Sequence, residues 1–138
     1  MYVIVVGCGR AGAALAARLS KSGAEVVAID KEEQSLDYIS PEFTGFTIAG
    51  DAADINILEQ AKIQDADALI VTTENDNVNS MVAQIGKFIY GVPEVKVRVN
   101  KPEKEIIYRD TDIDTFAPSS LLVANFEQSI LKNDEEEK

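Results

Sequence analysis

Six short runs rich in β-branched residues, helical segments between them, and a glycine-rich turn at the first strand-to-helix junction predict the fold class. It is α/β: one Rossmann-type domain on a doubly wound, parallel, six-stranded sheet. Residues 2–6 form an unbroken apolar run, as expected of a parallel strand covered on both faces. Residues 11–22 are alanine-rich with Leu15 and Leu19 four apart, a helix. Residues 25–29 and 46–49 read as the second and third strands, and 54–61, with Ile57, Leu58 and Ala61, as the helix after them. Residues 68–73 are the fourth strand. Residues 75–90 place Val78, Met81, Val82, Ile85 and Ile89 at helical spacing. Residues 95–99 and, more weakly, 114–117 supply the last strands, and 119–132 a terminal helix. The expected result is six strand-then-helix units in right-handed succession.

Length and composition narrow the function. At 138 residues and 15.0 kDa the chain suits one domain, read as residues 1–132 with an acidic tail over 133–138, the latter a solvated terminus. Thirteen lysines and arginines against 24 acids give a net charge of −11, which makes nucleic acid a poor partner. No apolar run approaches the roughly 18 residues of a membrane span, so direct membrane insertion is not expected. Cys8, the single cysteine, cannot form an internal disulfide, in keeping with a cytosolic setting. Histidine is absent, which removes the commonest general base and, with one cysteine, the usual zinc ligands.

The first strand runs into Gly7, Cys8, Gly9, Arg10, Ala11 and Gly12, placing G-x-G-x-x-G at a strand-to-helix junction. Gly7 allows the tight turn, Gly9 admits a pyrophosphate to the backbone, and Gly12 lets helix and strand pack closely. The helix N-terminus then offers free N–H groups and its positive dipole end, and Arg10 can add a charge-assisted hydrogen bond. Asp30, 18 residues beyond Gly12, ends the second strand where such folds hold ribose hydroxyls. Its carboxylate should also repel a 2′-phosphate by about 4 kcal/mol per unit charge at about 4 Å and an effective dielectric of about 20, with Lys31 beside it as a partial offset. Asp51, in Gly50-Asp51-Ala52 after the third strand, reads as a ligand to the adenine side, with helix capping as its alternative. Asp54 reads as the cap itself. Thr72, Thr73, Glu74 and Asn75 follow the fourth strand and face the glycine turn across the switch point.

Together these residues resemble the N-terminal domain of regulator-of-potassium-conductance proteins, the TrkA-N (KTN, RCK) family, over nearly the whole chain. The matching elements are G-x-G-R-x-G at Gly7–Gly12, Asp30, G-D-A at Gly50–Ala52, and A-x-I-x-x-A-D at Ala61, Ile63, Ala66 and Asp67. T-x-x-D-x-x-N follows at Thr73, Asp76 and Asn79, then Arg98 after the fifth strand and Pro118 before the last helix. The resemblance implies a cytoplasmic regulatory subunit or domain, held at the inner face of the membrane by a potassium channel or transporter subunit. It implies homo- or hetero-oligomers, dimers or rings, and binding of NAD(H) or of ATP, ADP or AMP, with Asn79 and Arg98 added to the site. The family's usual C-terminal ligand-binding domain has no counterpart in this sequence.

An NAD-dependent oxidoreductase fragment is the rival reading. The short-chain type of such enzymes uses Tyr-x-x-x-Lys, but Tyr2, Tyr38, Tyr90 and Tyr108 are followed four places on by Val6, Glu42, Glu94 and Asp112. With no histidine either, a hydride-transfer site has no evident residues, and a methyltransferase reading finds no catalytic signature beyond the glycine turn. A binding domain, not an enzyme, is expected. The spread of Leu121, Leu122, Val123, Phe126, Ile130 and Leu131 around the terminal helix, with Phe88 and Tyr90 beyond the core row of their helix, predicts apolar surface covered by assembly.

Overall fold

The computed structural model describes residues 1–137, with side chains through Glu135. Six parallel strands, β1 (Tyr2–Val6), β2 (Glu25–Asp30), β3 (Phe46–Ala49), β4 (Ala68–Val71), β5 (Glu94–Arg98) and β6 (Ile113–Phe116), form one sheet in the order β3-β2-β1-β4-β5-β6. The chain therefore winds outward from β1 in both directions, which opens a crevice where β1 and β4 part at their carboxyl ends. Register fixes what meets there: Val6 lies opposite both Ile29 and Val71, and Asp30 opposite Ala49. The residues that follow, Gly7, Asp30, Gly50 and Thr72, reach one edge of the sheet together.

Alternation along the strands divides the core into two layers. Val3, Val5, Val26 and Ala28 pack against α1 (Arg10–Lys21), through Ala16 and Leu19, and α2 (Glu33–Asp37), through Leu36. Ile4, Val6, Val27, Ile29, Leu69 and Val71 turn to the other face, where Leu58 of α3 (Ile55–Gln60) and Val82 and Ala83 of α4 (Asp76–Gln84) cover them. Asp54 caps α3 by accepting from Asn56 N at 2.9 Å, and Asn75 caps α4 from Asn77 and Val78. The A-x-I-x-x-A-D element is architectural. Ala61, Ile63 and Ala66 are buried, and Asp67 accepts from Tyr2 N at 2.7 Å, tying the start of β4 to β1.

Several elements differ from the sequence expectation. β4 stops at Val71, because Thr73 turns to bond Asn79. α2 is a single turn that no apolar periodicity announces. No α-helix follows β5: Pro102 starts a 3₁₀ segment, Pro102–Tyr108, that buries only Tyr108 and is followed by Asp110 at φ 62°. The expected long helix over 75–90 divides into α4 and a π-helical turn, Ile85–Ile89, closed by Tyr90 N to Ile85 O at 3.2 Å. That turn leaves Phe88 and Ile89 exposed, although Ile89 fitted the core spacing, and it places Gly86 where a Cβ would lie 2.3 Å from Leu69 Cδ2.

The terminal helix, α5 (Pro118–Glu137), runs through the residues expected to form a separate acidic tail; Lys138 lies outside the described residues. Twenty residues at about 1.5 Å each make it about 30 Å long. Every side chain from Pro118 to Glu135 is exposed, so α5 projects from the sheet instead of packing on it. Among the described residues, no helix is long and apolar enough to cross a membrane.

Candidate nucleotide site

The carboxyl edge of β1, β2, β3, β4 and β5 encloses a cleft of about 1220 Å³. Its floor is the glycine turn. Gly7, at φ 95°, donates to Ile29 O at 2.8 Å, and a Cβ there would lie 2.8 Å from the Thr72 backbone. Gly9 is the N-cap of α1 in an extended conformation that any residue adopts, yet a Cβ built on it meets nothing within 4 Å. It would stand in the open cleft. No side chain caps α1 and its first turn carries no acid, so its leading N–H groups and positive end face the same space. The cradle fits a pyrophosphate: donors are supplied by backbone, and the one position where a side chain would obstruct approach lacks one.

Asp30 is positioned by the turn it faces. Its Oδ2 accepts from Cys8 N at 2.7 Å and its Oδ1 from Glu32 N at 2.7 Å. Each oxygen keeps a further lone pair, enough for two hydroxyl donors such as those of a ribose. Asp51 lines the same end and accepts from Ala53 N at 2.9 Å, an Asx turn that aims its carboxylate without making it the cap of α3. Lys31, Glu32, Ser35 and Ala52 complete this end.

The far wall is built from α4 and the end of β5. Asn79 is fully buried, and all four of its hydrogen-bonding capacities are used. Its Oδ1 accepts from Thr73 N and Thr73 Oγ1, and its Nδ2 donates to Thr73 O at 2.9 Å and Arg98 O at 3.0 Å. One side chain thus pins the end of β4 to the end of β5. Asp76 accepts from Asn100 N at 2.7 Å, Lys101 N at 3.0 Å and Asn100 Nδ2 at 3.0 Å. Desolvation acts to raise its pKa, but these hydrogen bonds and the charge of Lys104 outweigh it and hold the carboxyl below its ordinary value.

Of the residues expected in the site, Gly7, Gly9, Arg10, Ala11, Asp30, Lys31, Asp51, Ala52, Thr72, Thr73, Glu74 and Arg98 line the cleft. Cys8, Gly12 and Asn79 do not. The Cys8 N–H is committed to Asp30, and its thiol is buried on the α1 side of the sheet. Burial first, and then the charge of Asp30, push that thiol up to about 12. A Cβ on Gly12 would lie 1.7 Å from Gly7 O, so this glycine serves helix packing. Asn79 acts through Thr73 and Arg98. Arg98 is the last residue of β5, not a residue beyond it. Asp76, Asn100, Lys101 and Lys104 join the cleft without having been singled out as site residues; only the T-x-x-D-x-x-N spacing touched Asp76.

The fold and this cleft define a Rossmann-type domain of the kind that holds nucleotides at a topological switch point. The TrkA-N domain pattern matches residues 3–117, and the chain belongs to that family. It is 32% identical over 117 residues to the Trk system potassium uptake protein TrkA of Streptomyces coelicolor, covering 85% of this chain and 52% of that protein. It is 33% identical over 114 residues to a TrkA homolog of Methanothermobacter thermautotrophicus, covering 83% and 52%. The chain thus spans about half the length of these relatives. Among solved structures, it superposes on the GsuK channel bound to NAD with a TM-score of 0.76 at 27% identity, covering 97% of this chain and 24% of the channel chain. The TrkA-N domain of the Escherichia coli inner membrane protein ybaL shares the fold, with a TM-score of 0.81 at 19% identity, covering 92% and 94%.

Proposed function

We propose that this chain is the nucleotide-sensing regulatory domain of a potassium uptake system or channel, binding NAD(H) or an adenine nucleotide in the switch-point cleft. The observation that carries the reading is the pairing of Gly9 with Asp30. An uncapped helix start with an open Gly9 faces the phosphates, while a carboxylate held by the same turn through Cys8 N faces the ribose. Ligands recorded on similar proteins, NAD and ADP on GsuK, support it.

The reading is of a binding domain, supported by the matches to the potassium uptake protein TrkA and to the GsuK RCK domain. Its effect is transmitted by assembly. α5 exposes Leu121, Leu122, Val123, Phe126, Ile130 and Leu131, more apolar surface than a solitary helix keeps in water, and a second copy or a related subunit covers it. Nucleotide affinity that differs between two arrangements of such an oligomer gives a coupling of about 1–3 kcal/mol, to be passed to a membrane potassium transporter or channel from its cytoplasmic side. Mass spectrometry of protein purified without added ligand tests the reading directly. A stoichiometric dinucleotide or adenine nucleotide is expected; a bound methyl donor such as S-adenosylmethionine would replace it with a different function.

A further inference from the structure

Residues 100–108 form one side of the cleft on a weakly anchored stretch of chain. Asn100, Lys101 and Lys104 line the cleft, and from Pro102 to Tyr108 the backbone is 3₁₀. Seven residues is long for such a run, whose eclipsed side chains and poorer hydrogen bonds usually limit it to about three or four. Pro102 has no N–H to contribute, and of the seven side chains only Tyr108 is buried. The cleft end is held by a side chain of α4. Asp76 accepts from Asn100 N at 2.7 Å, Lys101 N at 3.0 Å and Asn100 Nδ2 at 3.0 Å, while Asn100 Nδ2 also donates to Thr73 O at 3.2 Å. Beyond Lys101 the links back to α4 are a long contact from Lys104 Nζ to Asn77 Oδ1, at 3.5 Å, and at the far end Tyr108, which packs in the core and meets the Ser80 side chain. Ile106 and Ile107, just before that anchor, are exposed. Segments with so few buried apolar side chains open at a low local free-energy cost and are readily ordered by a ligand.

We propose that residues 100–108 are a strap that a dinucleotide spanning the cleft clamps, with Asp76 as the positioning residue at its hinge. The inference rests on the nucleotide reading and deepens it by naming how occupancy is passed on. The clamped segment is the one that holds Ile106 and Ile107 at the surface outside the cleft, so ordering its first half steadies an apolar patch on its second. A mononucleotide held at Asp30 fills the end beside β2 and β3 and leaves the strap alone, whereas a dinucleotide crosses the switch point toward β5. The ligand that orders the strap also bears the entropy cost of ordering it, so a looser strap means weaker binding of that ligand alone.

Hydrogen exchange followed by mass spectrometry, on the full chain free and saturated with NADH or with AMP, tests the strap. NADH is expected to slow exchange over residues 100–108 by about tenfold, and AMP by about twofold or less. Asp76→Asn replaces one acceptor oxygen by a donor, so exchange there in the free chain should quicken by at least about threefold. Calorimetry of the same variant should show NADH weakened about threefold and AMP changed by less than about twofold. NADH that binds without slowing exchange over 100–108, or that slows the whole sheet by the same factor, overturns the strap and leaves the nucleotide reading standing. Equal weakening of NADH and AMP in Asp76→Asn overturns its role as the hinge. Failure of both nucleotides to bind a chain with native circular dichroism overturns the cleft reading, and the strap with it.

Discussion

Asp30 makes its two observed bonds to backbone N–H groups and has further lone pairs on both oxygens, so under the proposed function its substitution separates affinity from specificity. Asp30→Ala is expected to weaken NAD binding by about tenfold through lost hydroxyl bonds while narrowing the gap between NAD and NADP, measured by competition calorimetry. Asn79 makes a complementary prediction. Removing its amide strands the Arg98 carbonyl and the Thr73 N–H and carbonyl at a fully buried site, so Asn79→Ala should cost about 1–3 kcal/mol in urea unfolding, before any effect on ligand. The Cys8 thiol, raised to about 12, stays protonated at neutral pH and should resist thiol reagents until the chain unfolds. Because the folded value lies above the ordinary one near about 8.5, its contribution to stability is complete below that pH and is lost as pH rises toward 12. Alkaline titration of Cys8→Ala should accordingly show a shallower loss. The cap at Asp54 and the placement of Asp30 and Asp51 at the cleft were legible because each ends or follows a strand or precedes a helix at a fixed offset. The Asp76–Asn100 link was not, since its partners are 24 residues apart and only the fold brings them together.

At the scale of elements, strand positions were readable from continuous apolar runs, with β1 and β3 recovered to the residue and the others within one or two. Helical periodicity was less informative where backbone geometry departs from 3.6 residues per turn. The π turn at Ile85–Ile89 carries Ile89 out of a row that a regular helix would bury, and the 3₁₀ segment after β5 occupies a place where a helix was expected. In α5, Leu122, Phe126 and Ile130 recur every four residues, while Leu121 and Leu131 fall off that stripe, and nothing among the described residues covers either set. Leu122→Glu/Phe126→Glu should therefore shift sedimentation toward the monomer while leaving the thermal melt of the sheet nearly unchanged, because the replaced side chains make no core contact. A monomer in the unmodified protein, with and without nucleotide, would remove assembly from the account.

For the whole molecule, topology does most of the functional work. Reversal of strand order beside β1 gathers a glycine turn, an acid at the end of β2, an acid after β3 and a polar turn after β4 onto one edge, although the four are spread over more than sixty residues. That gathering was legible from spacing and from resemblance to the TrkA-N family. The wall beside the end of β5 was only partly so: Arg98 was named, but Asn100, Lys101 and Lys104 read as ordinary surface residues until Asp76 fixes the turn that carries them. The central claim is that a nucleotide sits on the backbone at Gly9. The most direct test is calorimetric titration of NADH and ATP into the unmodified chain and into Gly9→Val, whose Cβ meets nothing in the protein and so should leave the fold intact. The expected result is binding at one site per chain that weakens by at least about tenfold in Gly9→Val at an unchanged melting temperature; equal affinities in the two proteins would contradict it.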